Sequence, residues 1–190
     1  MFDVDTLIAD CHIAIADPDP RGAIRELLVT TVENHGDVAD VLAKDEAGIN
    51  VLFNSPELTV LNVIWAPNMT LLPHEHRMWA AIGIYGGAEQ NIFYRRGTGG
   101  IQAAGEKLLE TGDVFGLGVD AIHSIDNPRG TPTGAIHVYG GDFVNTPRSL
   151  WDPDTLVEEA YSMAKVQAIF ARANEEWHAQ LGTDLDESAH

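Results

Sequence analysis

From Gly48 onward the chain breaks into short runs rich in Val, Ile, Phe and Tyr, each closed by turn residues, and this punctuation most constrains its fold. The runs read INVLFNS, LTVLNVIW, AAIGIYG, EQNIFYRR, DVFGLG, AIHSIDN and GAIHVYGG. A spacing of roughly 8 to 12 residues with a turn signal after each run predicts an all-β sandwich or barrel. Gly97 to Gly100 reads GTGG. It lacks the GxxxxGK[ST] pattern of a phosphate loop and is read as a hairpin turn.

The flanks have a different period. Val4, Leu7, Ile8 and Cys11 recur at helical spacing, and Pro18 and Pro20 then interrupt the chain. A second helix is expected over Arg21 to Glu33, with Ile24, Leu27, Leu28 and Val32 as its apolar stripe, and a shorter one over Val38 to Lys44. After the β region, Asp152 is suited to an N-cap, with Pro153 at the first helical position. Leu156, Ala160, Met163, Val166, Ile169, Phe170, Ala173 and Trp177 then line one face of a long helix. The expected organisation is a helical lead-in over 1–47, a β-barrel over 48–145 and a C-terminal helix over 152–180, in one domain of 190 residues. Residues 181–190 read as an acidic, frayed end.

Lys plus Arg number 11 against 29 Asp plus Glu, a formal charge of −18. That balance argues against a nucleic-acid partner and against attraction to anionic membranes. An acidic chain that binds an anionic small molecule needs a local cation inside its pocket. The start, MFDVDTLIADC, has no basic region before its apolar residues, and no run of 18 apolar residues occurs, so a cytoplasmic location is expected. Cys11, the one cysteine, is read as a buried helical thiol.

The strongest chemical signal is PHEH, Pro73 to His76. Two histidines one residue apart point the same way only on an extended backbone, because strand side chains repeat every two residues. At the mouth of a barrel His74 and His76 can present two imidazoles to one ion. His123, in AIHSIDN, is a third candidate from another strand. His12, His35, His178 and His190 fall on predicted helices or termini and are assigned no role.

On these residues the chain resembles the cupins. Gly112, His123 and Asn127 fall at positions of that family's second motif, with Gly118 where proline is usual and Asp120 where glycine is usual. His74, His76 and the pair Gly86–Gly87 stand for the first motif. The resemblance implies a double-stranded β-helix, or jelly-roll, barrel with His74, His76 and His123 as metal ligands. That motif normally adds a glutamate four or five residues after its second histidine, where this chain has Ala80 and Ala81. Glu89, the nearest downstream carboxylate, lies past a turn, and the metal set is read without it.

Three-histidine cupins include the thiol dioxygenases, which this chain resembles beyond its metal ligands. His137 and Tyr139 in AIHVYGGDF match the histidine and tyrosine of that family's Ser-His-Tyr relay. Ala135 stands where serine would be, so the outer hydrogen bond of the relay is expected to be missing. Arg148, nine residues after Tyr139, matches the arginine that pairs with the carboxylate in members using 3-mercaptopropionate. The arginine that cysteine-using members place before the HxH motif has no counterpart in LFNSPELTV, and Ala81 replaces the cysteine that crosslinks to the tyrosine.

The resemblance therefore implies an Fe(II) centre that uses O2 to oxidise a small thiol, 3-mercaptopropionate or a cysteine-like one, to its sulfinic acid. Three imidazoles also suit zinc, nickel or cobalt. Two alternatives stay open: a zinc or manganese cupin working through a metal-bound water, and a non-catalytic metal-binding module. Trp65, Trp79 and Ile84 are candidates for an apolar wall, and Arg77, Arg95 and Arg96 for local positive potential. The chain is expected to be a monomer or a homodimer.

Overall fold

The computed structural model describes residues 1–187. Three helices lead in: α1 (Val4–Ala14), α2 (Pro20–Glu33) and α3 (His35–Leu42). Asp3 caps α1 by accepting from the Thr6 amide at 2.8 Å, and Asp19 caps α2 through the Gly22 amide at 3.1 Å. Each satisfies a backbone N–H that the first helical turn leaves without a partner. Pro20 takes the first helical position, where its missing N–H costs nothing.

Strands β1 (Gly48–Asn54), β2 (Thr59–Trp65), β3 (Thr70–Glu75), β4 (Ala80–Gly86), β5 (Ala88–Gly97) and β6 (Gly100–Glu110) follow. Next come β7 (Val114–Leu117), β8 (Ile122–Asp126), β9 (Thr133–Tyr139), β10 (Ser149–Trp151) and β11 (Glu158–Ala160). Helix α4 (Met163–Glu187) ends the described chain. One sheet has the order β1-β2-β9-β4-β7 and the other β11-β10-β3-β8-β5-β6, with every pairing antiparallel.

Without β1 and the β10–β11 hairpin, two four-stranded sheets remain, β2-β9-β4-β7 and β3-β8-β5-β6. The chain crosses between them at every connection except the β5–β6 hairpin, which is the jelly-roll order. Among the described residues no strand pairing joins the sheets, so the expected barrel is two facing antiparallel sheets.

The first sheet is buried on both faces, and strand alternation divides its side chains between two cores. Leu61, Val63 and Trp65 of β2, Ala80, Ile82 and Ile84 of β4, and Ala135 and Tyr139 of β9 enter the inter-sheet core. Val60, Ile64, Ala81, Tyr85, Ile136 and Val138 face the other way, against Leu7, Cys11, Ile24, Leu28, Val38 and Leu42 of the lead-in helices. Val166, Phe170 and Trp177 of α4 join the inter-sheet core. Phe170 stacks on Trp65 with ring centroids 5.5 Å apart.

Expectations for the C-terminal third need correction. The C-terminal helix begins at Met163, not Asp152, and continues to Glu187 rather than stopping near 180. The Asp152 side chain instead closes the β10–β11 turn, accepting from the Thr155 amide and hydroxyl, each at 2.8 Å, and from the Asp154 amide at 3.2 Å. An Asx-type turn competes with a helix start for the same residue, and pairing of β10 with β3 decides the contest. Leu156 accordingly packs with Ile101, Ile122 and Trp151 instead of on α4. Strands therefore extend past 145 to Ala160. Strand β6 had no sequence signal because GIQAAGEKLLE lacks alternation, and most of it is an exposed edge. The turn between β5 and β6 is the expected one, with Gly97 opposite Gly100. Of the expected frayed end, 181–187 continue α4, and 188–190, with His190, lie outside the described residues.

Candidate metal centre

His74 lies opposite His123 in the β3–β8 ladder, and His74 also lies opposite Leu150 of β10. The register shift between Leu71 and His74 places Pro73 in an irregular stretch of strand, where its lack of an N–H does not break the ladder. His76 follows the last residue of β3, and Arg77 turns the chain away with a left-handed φ of 61°. Glu75 points opposite to its histidine neighbours and accepts from Arg77 Nε at 2.6 Å, Arg96 Nη2 at 3.1 Å and the Ser149 amide at 3.2 Å. The acidic residue inside PHEH thus holds the strand from the other side. It also occupies Arg77 and Arg96, two of the cations expected to face the pocket; Arg95 is exposed.

The three imidazoles converge. Their ring centroids are 4.7 to 5.0 Å apart, and one ligand atom from each lies within 4.8 Å of the others. His74 Nδ1 is 3.0 Å from the Leu72 carbonyl and His123 Nδ1 is 2.6 Å from Asn91 Oδ1. Both partners accept only, so both Nδ1 atoms carry the proton and both Nε2 lone pairs are free for a cation. His123 Nε2 and His76 Nε2 are 3.4 Å apart. Burial holds His74 down to about 4, reinforced by the Arg148 charge and offset in part by the Leu72 hydrogen bond. Burial and the neighbouring imidazoles keep His76 and His123 well below the ordinary histidine range. Three buried, neutral imidazoles with converging nitrogens are a donor set that fits a divalent transition metal.

The site combines a jelly-roll strand order with histidines from β3, its exit and β8. The fold is cupin-like. A scan of protein-family models finds no match to this chain. Among solved structures, similarity extends to a cupin-family protein with a double-stranded β-helix from Methanocaldococcus jannaschii, at 9% identity and a TM-score of 0.45, covering 53% of this chain and 85% of that one. A Klebsiella pneumoniae protein with a double-stranded β-helix domain has 18% identity and a TM-score of 0.42 over 56% of this chain and 85% of its own. A Bacillus halodurans protein reaches a TM-score of 0.49 at 11% identity, over 55% of this chain and 78% of its own. These partial overlaps leave the strand order as the ground for the fold.

Beside the cluster, β9 presents His137 and Tyr139 on its inner face. His137 Nδ1 lies 3.1 Å from the Tyr139 hydroxyl, and the Tyr139 ring centroid is 4.9 Å from that of His76. Burial, with the charge of Glu89, pushes the Tyr139 phenol up, so it keeps its proton at neutral pH; Arg148 opposes the shift. The outer partner expected to be missing is present. His137 Nε2 is 3.2 Å from Glu89 Oε2, so a glutamate from β5 stands where Ala135 offers no hydroxyl. Glu89 is fully buried and accepts from Trp65 Nε1 at 2.7 Å and Asn91 Nδ2 at 2.9 Å. Burial raises its pKa, but the neighbouring His137 and the three hydrogen bonds outweigh that and lower it overall. In the sequence Glu89 stood out only as the nearest carboxylate downstream of PHEH and Asn91 not at all; the signal that pairs them is their alternation in EQNIFYRR, two polar side chains on one strand face.

Arg148 is 7% exposed rather than a surface residue. Its Nη1 donates to the Phe143 carbonyl at 2.6 Å and the Thr146 carbonyl at 3.1 Å, while Nε and Nη2 are buried with no hydrogen-bond partner. Its guanidinium carbon is 4.3 Å from the centroid of the Phe143 ring, and that ring lies 4.5 Å from Tyr139 and 6.0 Å from His76, so one aromatic ring links Arg148 to the cluster. Of the apolar-wall candidates, Trp65 and Ile84 belong to the inter-sheet core, whereas Trp79 packs on the helix side of the first sheet. No helix of the described residues is long and apolar enough to cross a membrane.

Proposed function

We propose that this protein is a thiol dioxygenase that converts a small thiol bearing a carboxylate, of the 3-mercaptopropionate type, to its sulfinic acid. The observation that carries this reading is the buried Arg148, with two guanidinium nitrogens unpartnered, packed on the Phe143 ring that also neighbours His76 of the three-imidazole cluster. A buried donor left without a partner costs about 1–3 kcal/mol, and more for a charged group, so a fork held open in this way is built for an anion. A carboxylate matches two adjacent N–H groups. The net reaction adds both atoms of O2 to RSH to give RSO2H, with sulfur oxidised by four electrons and O2 reduced by four.

In this reading His74, His76 and His123 would hold Fe(II), which would supply a cation that favours the thiolate and a redox centre able to engage O2. With no carboxylate among the ligands, the site keeps the full divalent charge. Arg148 binds and orients the substrate carboxylate. Tyr139 offers its retained phenol proton to the reacting sulfur or oxygen atoms, and His137 fixes the direction of that hydroxyl. Trp65 and Phe143 exclude water from the inner side.

The test is oxygen uptake by the Fe(II)-loaded protein, with 3-mercaptopropionate, cysteine and cysteamine in parallel. Uptake matched one-to-one by sulfinate, strongest with 3-mercaptopropionate, is expected. No uptake with any thiol by protein of confirmed iron content would refute the reading. Turnover of another substrate without O2 by a zinc- or manganese-loaded protein would move the site to metal-bound water chemistry.

A further inference from the structure

The hydrogen bonds around Glu89 form one continuous chain. It runs from the Tyr139 hydroxyl to His137, through the two Glu89 oxygens to Asn91, and from Asn91 Oδ1 to His123 Nδ1. A single buried carboxylate therefore stands between a candidate metal ligand and the tyrosine. We infer that Glu89, acting through Asn91, sets which ring nitrogen of His123 faces the metal, and so is a positioning residue for the centre. The inference rests on the metal-binding part of the reading proposed above.

The argument turns on donors and acceptors. The Trp65 indole can only donate, so Glu89 Oε2 must stay an acceptor. Asn91 turns its Nδ2 to Glu89 Oε1, which leaves its Oδ1 toward His123. His123 Nδ1 then has to carry the proton, and its Nε2 lone pair points at the cluster. Each group in turn allows one state of the next. Both Glu89 and Asn91 are fully buried, so water does not relax the constraint.

An amide in place of the carboxylate reverses the chain. In Glu89→Gln the oxygen must remain opposite Trp65, which puts the new NH2 group opposite Asn91 Nδ2. Two donors cannot face each other, so Asn91 turns over and presents its own NH2 to His123 Nδ1. The His123 proton then moves to Nε2, where it blocks the metal. Shape is almost unchanged, and one acceptor has become a donor. Outer partners of metal-bound histidines contribute about 10- to 100-fold in metal affinity, which sets the expected scale.

The test reads tautomers in metal-free, full-length protein with 15N-labelled histidine, by long-range proton–nitrogen correlation. Native His123 is expected as the Nδ1–H form and His123 of E89Q as the Nε2–H form. Zinc affinity by chelator competition should fall roughly 10- to 100-fold in E89Q. A folded E89Q with the native His123 tautomer and native zinc affinity would overturn the inference. Should E89Q not fold, Asn91→Leu removes the same bridge and should weaken zinc binding on the same scale. Native affinity in N91L would also overturn it. In the N91L background a further E89Q change should cost no more affinity, and full additivity would refute coupling through Asn91. The tautomer result decides the inference without metal. A His123→Ala protein that binds zinc as tightly as the native one would overturn the metal-centre reading instead.

Discussion

The Arg148 guanidinium lies over the ring of Tyr161, its central carbon 3.8 Å from the ring centroid, and the backbone of Tyr161 donates to the Arg148 carbonyl at 2.9 Å. Phe143 lies at 4.3 Å from the same carbon. The arginine is thus gripped by two aromatic rings and two carbonyls, while its remaining N–H groups stay free. Lysine keeps the charge but loses the fork and the planar stacking. Arg148→Lys should raise KM for 3-mercaptopropionate by about 10- to 100-fold, the scale of a lost charge-assisted hydrogen bond. Any turnover of cysteamine, which has no carboxylate, should change little. Equal losses for both thiols would count against Arg148 as a carboxylate anchor.

The metal-free protein should lose stability on mild acidification. His74 titrates near 4 in the folded chain against 6.5 for the free side chain, so between those values the unfolded chain binds more protons. Stability is then full above about 6.5 and declines toward pH 4, at up to about 1.4 kcal/mol per pH unit for each such histidine. Urea midpoints of the metal-free protein from pH 7 to 4 read this directly. His74→Phe should flatten the slope, and an unchanged slope would exclude His74 as a source.

Gly140 follows β9, and a Cβ there would fall inside the Trp79 ring. Gly140→Ala should destabilise the protein by about 1–3 kcal/mol through overpacking. Trp79→Leu in the same chain should recover part of that loss. Thermal unfolding of the single and double variants tests the contact, and a G140A protein as stable as the native one would remove it.

Cys11 is fully buried under the lead-in helices, and burial with the neighbouring Asp10 charge pushes its thiol up to about 12. A maleimide at pH 7 should label it only as fast as the helices open. Labelling at the rate of a free thiol would show that α1 detaches readily.

Much of this molecule could be read from its residues where one local rule decided the outcome. Short Val-, Ile-, Phe- and Tyr-rich runs closed by turn residues located β1, β2, β4, β5, β7, β8 and β9, and the helical stripes located α1 and α2. His74 and His76 stood out through their HxH spacing, and His123 through its place in a second strand run and in the motif the chain resembles. What could not be read depended on distant partners. Asp152 can begin a helix or close a turn, and only the pairing of β10 with β3 selects the turn. Glu89 shows in sequence only as a carboxylate past the turn after β4, and it gains its place from Trp65, Asn91 and His137 on three strands. The exposed edge β6 has no burial pattern to betray it.

The β10–β11 hairpin lies outside the eight jelly-roll strands; its one ladder pair with them is Leu150 with His74, supported by the Ser149–Glu75 and Arg96–Glu158 contacts. Arg148 sits at its root, ahead of Ser149. Arg148 thus belongs to the approach to an appendage, while the imidazoles belong to the frame. On the reading proposed above, such a division would let the carboxylate anchor change by edits at one margin of the sheet while the three imidazoles stay where the frame holds them.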